Sequence, residues 1–535
     1  MAVVDDTFDY EEDVLVVGSG CAGLTASLAA KEAGASVLVL EAGTVAGGAE
    51  GNSFWIPNNR SMREAFGLRD DREDALRYMC RLAYPQFYVD GHPTLGLPQE
   101  AYDLIATFYD QGSSAIDFLK GLGFVIEAEP HSAADYHAGL PEDKAPRGRF
   151  MKAPPGNPRL AEQLVALAEG LGVKILTGHR VVDALKNAEG EVVALLVRAG
   201  HRTVLARARR AVVFASGGFG FNQDRLREHL PARVYGTCTV ETNRGDFVDI
   251  GQRMGARMSR MHGAWWKQGA VEQAVQNWRV SPVFMPFGDS MVQVNRYGRR
   301  VVNEKLPYNE RGQIHLRWDP EAREYPNLLL FMIWDDVVAR DGTETFARPP
   351  VPMPGEDASH VIKGDTWEEL AARIDDRLVT LAEHTGGVRL DGSFVTNLVD
   401  TVRRFGTYAA TGVDEEFHRG EGMIELDWLF SRRPGATNPA IAPFAERGPY
   451  YCVILGASVL DTHGGPRVNT LAQVVDGDDR PIPGLYGAGN CVAAISGQAY
   501  WGPGATMGPA VTYGYIAGRQ AAGEPVKDAT LLVGG

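Results

Sequence analysis

Gly18, Gly20 and Gly23 stand in the run Gly18-Ser19-Gly20-Cys21-Ala22-Gly23, and an acid, Glu41, closes the next apolar run. Residues of these types at this spacing do not break bonds; they hold phosphate and ribose. Gly18 permits a tight turn, Gly20 lets a pyrophosphate approach the backbone, and Gly23 lets a helix pack closely on a strand. Helix N–H groups and the positive end of the helix dipole then face the phosphates. Glu41 is placed to accept hydrogen bonds from ribose hydroxyls. Cys21, inside the turn, reads as a small packing residue.

These residues need a strand, a helix and a second strand to position them. The apolar run at 14–17 predicts a buried strand, the Ala- and Leu-rich run at 24–33 a helix closed by Gly34, and the run at 37–40 a second strand ending on Glu41. That order completes a βαβ dinucleotide fingerprint. By itself the glycine turn does not tell NAD from FAD. Two later strands also leave through glycines: 211–215 into Ser216-Gly217-Gly218, and Leu485-Tyr486-Gly487 into Ala488-Gly489-Asn490. The second marks a C-terminal return to the dinucleotide fold, which favours FAD. Helices are expected at 73–83, 99–122 and 160–171, a strand at 174–176, and a hairpin of 192–197 with 203–206. Between 281 and 446 the chain carries more Pro, Trp and charge and no phosphate-type turn. The expectation is an α/β fold: a dinucleotide domain over 1–280 and 447–535, with an inserted domain at 281–446.

Composition excludes several functions. A formal net charge of -15 over 535 residues repels phosphate backbones, so nucleic acid is a poor partner. The basic run Arg207, Arg209, Arg210 reads as a solvated flank of a strand. The five cysteines are scattered, with no zinc spacing, and the twelve histidines show no ligand pattern. The acidic N-terminus lacks the basic region and apolar core of a signal peptide. The longest apolar run, 328–334, is too short to cross a bilayer. A cytoplasmic location, with no transmembrane segment, is the expectation.

Three segments together resemble the FAD-dependent fumarate reductase and 3-ketosteroid dehydrogenase superfamily. They are the fingerprint through Trp55-Ile56-Pro57-Asn58-Asn59, the strand and turn at 212–222, and the block at 464–515. Fumarate reductases of this group usually carry Asn-Arg-Leu-Gly-Gly in the last block. This chain reads Tyr500-Trp501-Gly502-Pro503-Gly504-Ala505-Thr506-Met507-Gly508 and is similar to the 3-ketosteroid 1,2-dehydrogenase branch. The resemblance implies a Rossmann-like FAD-binding domain of the glutathione-reductase type with an inserted α+β substrate domain. It implies non-covalent FAD, since no histidine lies between Glu41 and Phe54, where covalent relatives attach their flavin. The implied flavin-contacting positions are Gly18, Gly20, Cys21, Ala22, Gly23, Glu41, Ala42, Gly48, Val181, Ser216, Gly217, Gly489, Asn490, Ala505, Thr506 and Gly508. Tyr500 and Gly504 correspond to the pair that binds the substrate ketone. Asn303-Glu304-Lys305-Leu306-Pro307-Tyr308 resembles the family's Asn-Glu-Ser-x-Pro-Tyr, whose tyrosine takes the α-proton, and Asp135-Tyr136 resembles the segment whose tyrosine assists it.

The implied reaction removes hydrogen from the carbon pair beside a ring ketone, on a steroid or a smaller cyclohexanone. It needs donors where enolate charge develops, a base at the α-carbon and a hydride acceptor. A tyrosine ordinarily titrates near 10, so a tyrosine base needs a helper to share or pass on its proton. The alternatives are an enone reductase running similar chemistry backwards, a nicotinamide dehydrogenase, and a flavin-fold binding protein without catalysis. The electron acceptor stays unassigned. The chain departs from the family at Lys305, in the shortened stretch 47–53, and at Trp501. The Trp501 ring either narrows the pocket or, because neighbours in an extended segment face opposite ways, turns into the core. One outcome follows from the missing histidine: acid precipitation of the purified protein releases its yellow colour into the supernatant, and colour retained in the pellet refutes non-covalent binding.

Overall fold

The computed structural model describes residues 8–48, 51–280 and 283–531. Residues 1–7 of the acidic N-terminus, Ala49 and Glu50 of the shortened stretch, and the expected boundary at 281 lie outside the described residues. The chain divides into two compact units: 1–222, 239–264 and 461–535 form the first, and 223–238 with 265–460 the second. The second unit is thus wider than an insertion at 281–446, because its sheet draws in the strands Ala264–Ala270 and Tyr450–Thr462.

In the first unit the fully apolar Val14, Leu15, Val16 and Val17 pair in parallel with Val37, Leu38, Val39 and Leu40 on one side and with Ala211, Val212, Val213 and Phe214 on the other. Burial on both faces favours such continuous apolar runs. Leu485, Tyr486 and Gly487 add a further parallel strand against Val212, Val213 and Phe214, and Lys174–Leu176 flanks Leu38–Leu40. The result is an eight-stranded sheet. The helix Cys21–Glu32 leaves the first strand and packs along the C-terminal helix Met507–Gly523, where Gly514 and Gly518 lie against the carbonyls of Ala22 and Ala26.

The helices Arg72–Ala83, Gln99–Gly121 and Leu160–Gly170 occur where periodicity places them. The runs 203–206 and 211–215 are instead one strand of 13 residues, Arg202–Phe214. Arg207, Arg209 and Arg210 lie inside it rather than on its flank, and they pair with Glu11 and Asp13 of the first strand at 3.3, 3.0 and 3.4 Å. Alternating charges on adjacent strands supply the continuity that the basic run conceals.

The second unit is built on an antiparallel sheet in which Leu329–Asp335 pairs with Met291–Val294 and with Tyr450–Thr462. The helices Trp367–Thr380 and Phe394–Thr411 bury Leu370, Ile374, Leu378, Leu398 and Phe405 in the same core as Phe331, Ile333 and Ile454. A buried ion cluster crosses it. Glu304 accepts from Arg300 at 2.9 and 2.8 Å, from Arg419 at 3.1 Å and from the Gln293 N–H at 3.1 Å. Arg300 also reaches Asp414 at 2.8 Å. Burial opposes charge on Glu304, but Arg300 and Arg419 outweigh it and hold the carboxyl below the ordinary glutamate range. Glu304→Gln leaves the buried Arg419 without its carboxylate and Arg300 with Asp414 in place of two strong partners, and is expected to cost about 3 kcal/mol or more, read as a lowered Tm at neutral pH. Because the folded value is depressed, this stabilisation is present above the ordinary glutamate value and is lost as pH falls through the folded one. The Tm difference between variant and wild type therefore closes in acid; a gap that persists there contradicts the assignment. No helix among the described residues is long and apolar enough to cross a membrane.

Candidate active site

Parallel register brings the glycine turns together. Val17, Leu40, Phe214 and Gly487 are paired in line, so Gly18, Glu41, the Ala215–Gly217 turn and Gly489 all follow the carboxyl ends of adjacent strands. Gly18 has φ +100°, and a Cβ there would lie 2.5 Å from the Ala215 carbonyl oxygen. A Cβ on Gly23 would lie 2.0 Å from the Gly18 carbonyl oxygen. The turn, the strand and the helix therefore touch through backbone alone. A Cβ on Gly20 would meet nothing within 4 Å, which leaves the helix N-terminus open to an incoming group. Glu41 is buried and accepts from the Ser19 N–H at 2.9 Å, the Ser19 hydroxyl at 2.6 Å and the Gly43 N–H at 2.6 Å.

Gly48 backs onto Gly20, and Ala22 faces Gly489. Ala42 follows Glu41 at the rim, and Val181 is buried in the strand His179–Lys186. Burial pushes the Cys21 thiol up to about 12, so it stays a neutral packing group. Ser216 and Gly217 form the turn after Phe214, with Asn243 behind Gly217. Asn490 donates to Asp461 at 2.9 Å, and Asn243 and the Gly218 N–H reach the same carboxyl, each at 3.0 Å. Burial raises Asp461 to about 6. Sequence reasoning missed Ser19, Asn243 and Asp461. Ser19 was visible as the hydroxyl inside the glycine run; Asn243 and Asp461 carry no local pattern and meet only in the fold.

The block after residue 499 closes on the strand Ser53–Trp55. Gly504 has φ +89°, a Cβ there would lie 2.5 Å from the Ser53 carbonyl oxygen, and the Trp55 N–H donates to the Gly504 carbonyl at 3.2 Å. Among the described residues no acceptor is bonded to the Gly504 N–H itself. Ala505 and Thr506 lead into the final helix, and Gly508 abuts the Trp55 carbonyl. Tyr500 and Tyr136 are both buried and stack with ring centroids 5.6 Å apart at 17°.

A buried charge cluster sets this stack. Arg149 binds Asp70 through two bonds of 2.8 and 2.7 Å, Asp135 at 2.5 Å and Asp143 at 3.0 Å, and its guanidinium lies over Trp55 and Tyr78. Burial pushes Asp135 well above the ordinary carboxylate range, and Asp143 upward, against the pull of Arg149. Asp135 also accepts from the Trp55 indole at 2.7 Å, and the next N–H, that of Tyr136, donates to the Trp501 carbonyl at 3.1 Å. Trp501 itself is fully buried, 5.5 Å from Trp55 and 5.8 Å from Phe108, with its indole N–H on the Met79 carbonyl at 3.1 Å. Of the two readings of Trp501, the structure supports the second: Tyr500 turns toward Tyr136, and its neighbour turns into the core.

Tyr308 belongs to the second unit, where it is buried at the start of the helix Tyr308–Gln313 after Pro307. The residues before it are braces. Asn303 reaches Glu425 at 3.0 Å, Glu304 carries the ion cluster, and Lys305 donates to the carbonyls of Pro286 and Gly288. Lys305 thus ties down the 286–288 segment. Asn309 receives the Trp266 N–H at 3.0 Å and fixes the helix to the strand Ala264–Ala270.

Residues 13–507 match the model of the FAD binding domain family. The chain belongs to this family. It is 29% identical to the 4-oxocyclohexanecarboxylate 2-dehydrogenase of Sinomonas cyclohexanicum, over 96% of this chain and 93% of the relative. It is 27% identical to the 3-oxosteroid 1-dehydrogenase of Mycolicibacterium smegmatis, over 95% of this chain and 96% of the relative. The crystal structure of 3-ketosteroid delta1-dehydrogenase from Sterolibacterium denitrificans, in complex with 1,4-androstadiene-3,17-dione, shares the fold with a TM-score of 0.80 at 24% identity, covering 96% of this chain and 99% of that one.

As a member of the FAD binding domain family, the chain binds FAD. The cradle fits: the space beside Gly20 admits a pyrophosphate at the N-terminus of Cys21–Glu32, and Glu41, held by Ser19 and Gly43, has further acceptor capacity for a ribose. Gly23→Ala forces a methyl group into the Gly18 carbonyl. It should cost about 1–3 kcal/mol of overpacking and lower flavin content per chain, measured as the ratio of 450 to 280 nm absorbance (roughly, the flavin and aromatic bands). Wild-type flavin content in that variant contradicts the close contact.

Proposed function

We propose that this chain oxidises a saturated ring ketone to its α,β-unsaturated ketone. The observation that carries this is the Gly504 N–H, held toward no protein acceptor among the described residues, beside the buried Tyr500 hydroxyl-bearing ring. The Gly504 N–H and the Tyr500 hydroxyl would together suit a ketone oxygen that gains enolate character. The relatives' names, a 4-oxocyclohexanecarboxylate 2-dehydrogenase and a 3-oxosteroid 1-dehydrogenase, support the same chemistry. Bound FAD supplies the acceptor for the β-hydride. The chain's own groups do the rest. Tyr500 and Gly504 hold the ketone oxygen, and Tyr308 takes the α-proton. Tyr136, stacked on Tyr500, orders the ketone-binding ring. Trp55, Tyr78, Phe108 and Trp501 pack on one another in the same unit as Tyr136 and Tyr500. Reduction of an enone would use the same donors in reverse. The five free cysteines accord with a cytoplasmic setting.

Tyr308→Phe removes the proton acceptor, so kcat should fall strongly while flavin content and ketone binding persist. Tyr500→Phe removes a donor to both ketone and enolate, and should lower kcat/KM roughly a hundredfold, about 3 kcal/mol. Anaerobic bleaching of the flavin by saturated ring ketones reads both directly. Turnover of Tyr308→Phe near that of wild type removes this residue from the mechanism; bleaching by no ring ketone refutes the desaturase assignment.

A further inference from the structure

Arg260 lies in the first unit, outside every motif used above. It adopts φ +56°, a left-handed conformation that side chains other than glycine seldom take and that recurs at ligand sites. Its carbonyl accepts the Gly263 N–H at 2.9 Å, and Gly464 packs directly onto the Arg260–Met261 backbone. The half-buried guanidinium sits 4.6 Å from the centroid of the Tyr84 ring. Among the described residues no carboxylate or carbonyl accepts from it. Burial, and the like charge of Arg467, pull it down to about 10, still cationic at neutral pH. Arg467 is itself occupied by Glu100 at 2.9 Å and Asp479 at 3.3 Å. His463, packed against Gly263, is kept neutral: burial, then Arg260, push it down to about 3.

A desolvated guanidinium beside another cation is costly unless an anion joins it. The place of this one is informative. Tyr84 follows Ala83, whose carbonyl takes the Gln498 N–H at 3.4 Å, two residues before Tyr500 in the chain. The Arg260–Tyr84 stack and Tyr500 therefore belong to the same unit, and that hydrogen bond ties the segment carrying Tyr84 to the segment carrying Tyr500. We propose that Arg260 binds a carboxylate carried by the ring-ketone substrate, a role that rests on the desaturase reading and narrows it to small oxo acids. The planar fork suits bidentate carboxylate recognition, and the Tyr84 face holds the fork flat.

The test uses the flavin-loaded enzyme with cyclohexanone-4-carboxylate and its neutral isostere, cyclohexanone-4-carboxamide. Wild type should prefer the carboxylate by about tenfold or more in kcat/KM, the worth of one charge-assisted pair. Arg260→Gln should erase that preference mainly through KM, and Arg260→Lys should restore part of it. Cyclohexanecarboxylate, which lacks the ketone, should raise the Tm of wild type and not that of Arg260→Gln; this readout needs no turnover. Equal use of both ketones by wild type, or an unchanged preference in a folded, flavin-loaded Arg260→Gln, overturns the subsite and leaves the desaturase assignment standing. Turnover of neither ketone overturns both. Should both variants fail to fold, wild-type preference and Tm protection still decide, and absence of either refutes the proposal.

Discussion

Four parallel strands end in register, at Val17, Leu40, Phe214 and Gly487, and the rest of the first unit depends on that alignment. It is made from buried, mostly apolar residues whose backbone hydrogen bonds are satisfied by the neighbouring strands. Once they are aligned, segments far apart in the chain must turn at the same edge. Each turn is crowded by the next, so glycine is required where backbone meets backbone: Gly18 against Ala215, Gly23 against Gly18. The opening left at Gly20 is a consequence of the same crowding. A nucleotide site here is less an added feature than the exposed end of a buried sheet.

The tyrosines are held by a different device. In each unit a buried arginine collects carboxylates next to a segment that carries a tyrosine of the proposed mechanism: Arg149 with Asp70, Asp135 and Asp143 beside Tyr136, and Arg300 with Glu304 and Asp414 ahead of Tyr308. Such clusters are weak contributors to net stability but sharply specify geometry, because any displacement leaves a charge without a partner. At Arg149 three carboxylates share one guanidinium, and burial keeps Asp135 and Asp143 inclined to retain protons. One Asp143 oxygen is left without a hydrogen-bond partner, as expected where acceptors outnumber donors. Positioning therefore comes from charge, and the aromatic stack rides on it.

The glycine run, the apolar strands and Glu41 were legible in the residues because each is local: a turn, a strand of four, an acid at its end. The tyrosine motifs were legible through resemblance, and the structure adds what their neighbours do. Glu304 and Lys305 look like part of a catalytic signature and are braces. Trp501 looks like a pocket wall and is core, since the alternation of an extended segment is set by which side Tyr500 takes. The long strand Arg202–Phe214 was read as two because its arginines interrupt the apolar pattern; Glu11 and Asp13, on the neighbouring strand, complete it.

By itself the sequence determined the dinucleotide turn, the order of elements around it and the class of cofactor, all written within short windows by steric rules for glycine and the periodicity of strands. Only the tertiary structure decided which residues share a carboxyl or a ring face. Asn243, Asp461 and Asn490 meet at one buried acid, and Arg260 meets Tyr84, across separations no local pattern encodes. The physical reason is that burial assigns these roles. A carboxylate or guanidinium reads alike in any sequence, and it acquires a partner, a proton or an unmet need for an anion only when the fold removes water from it.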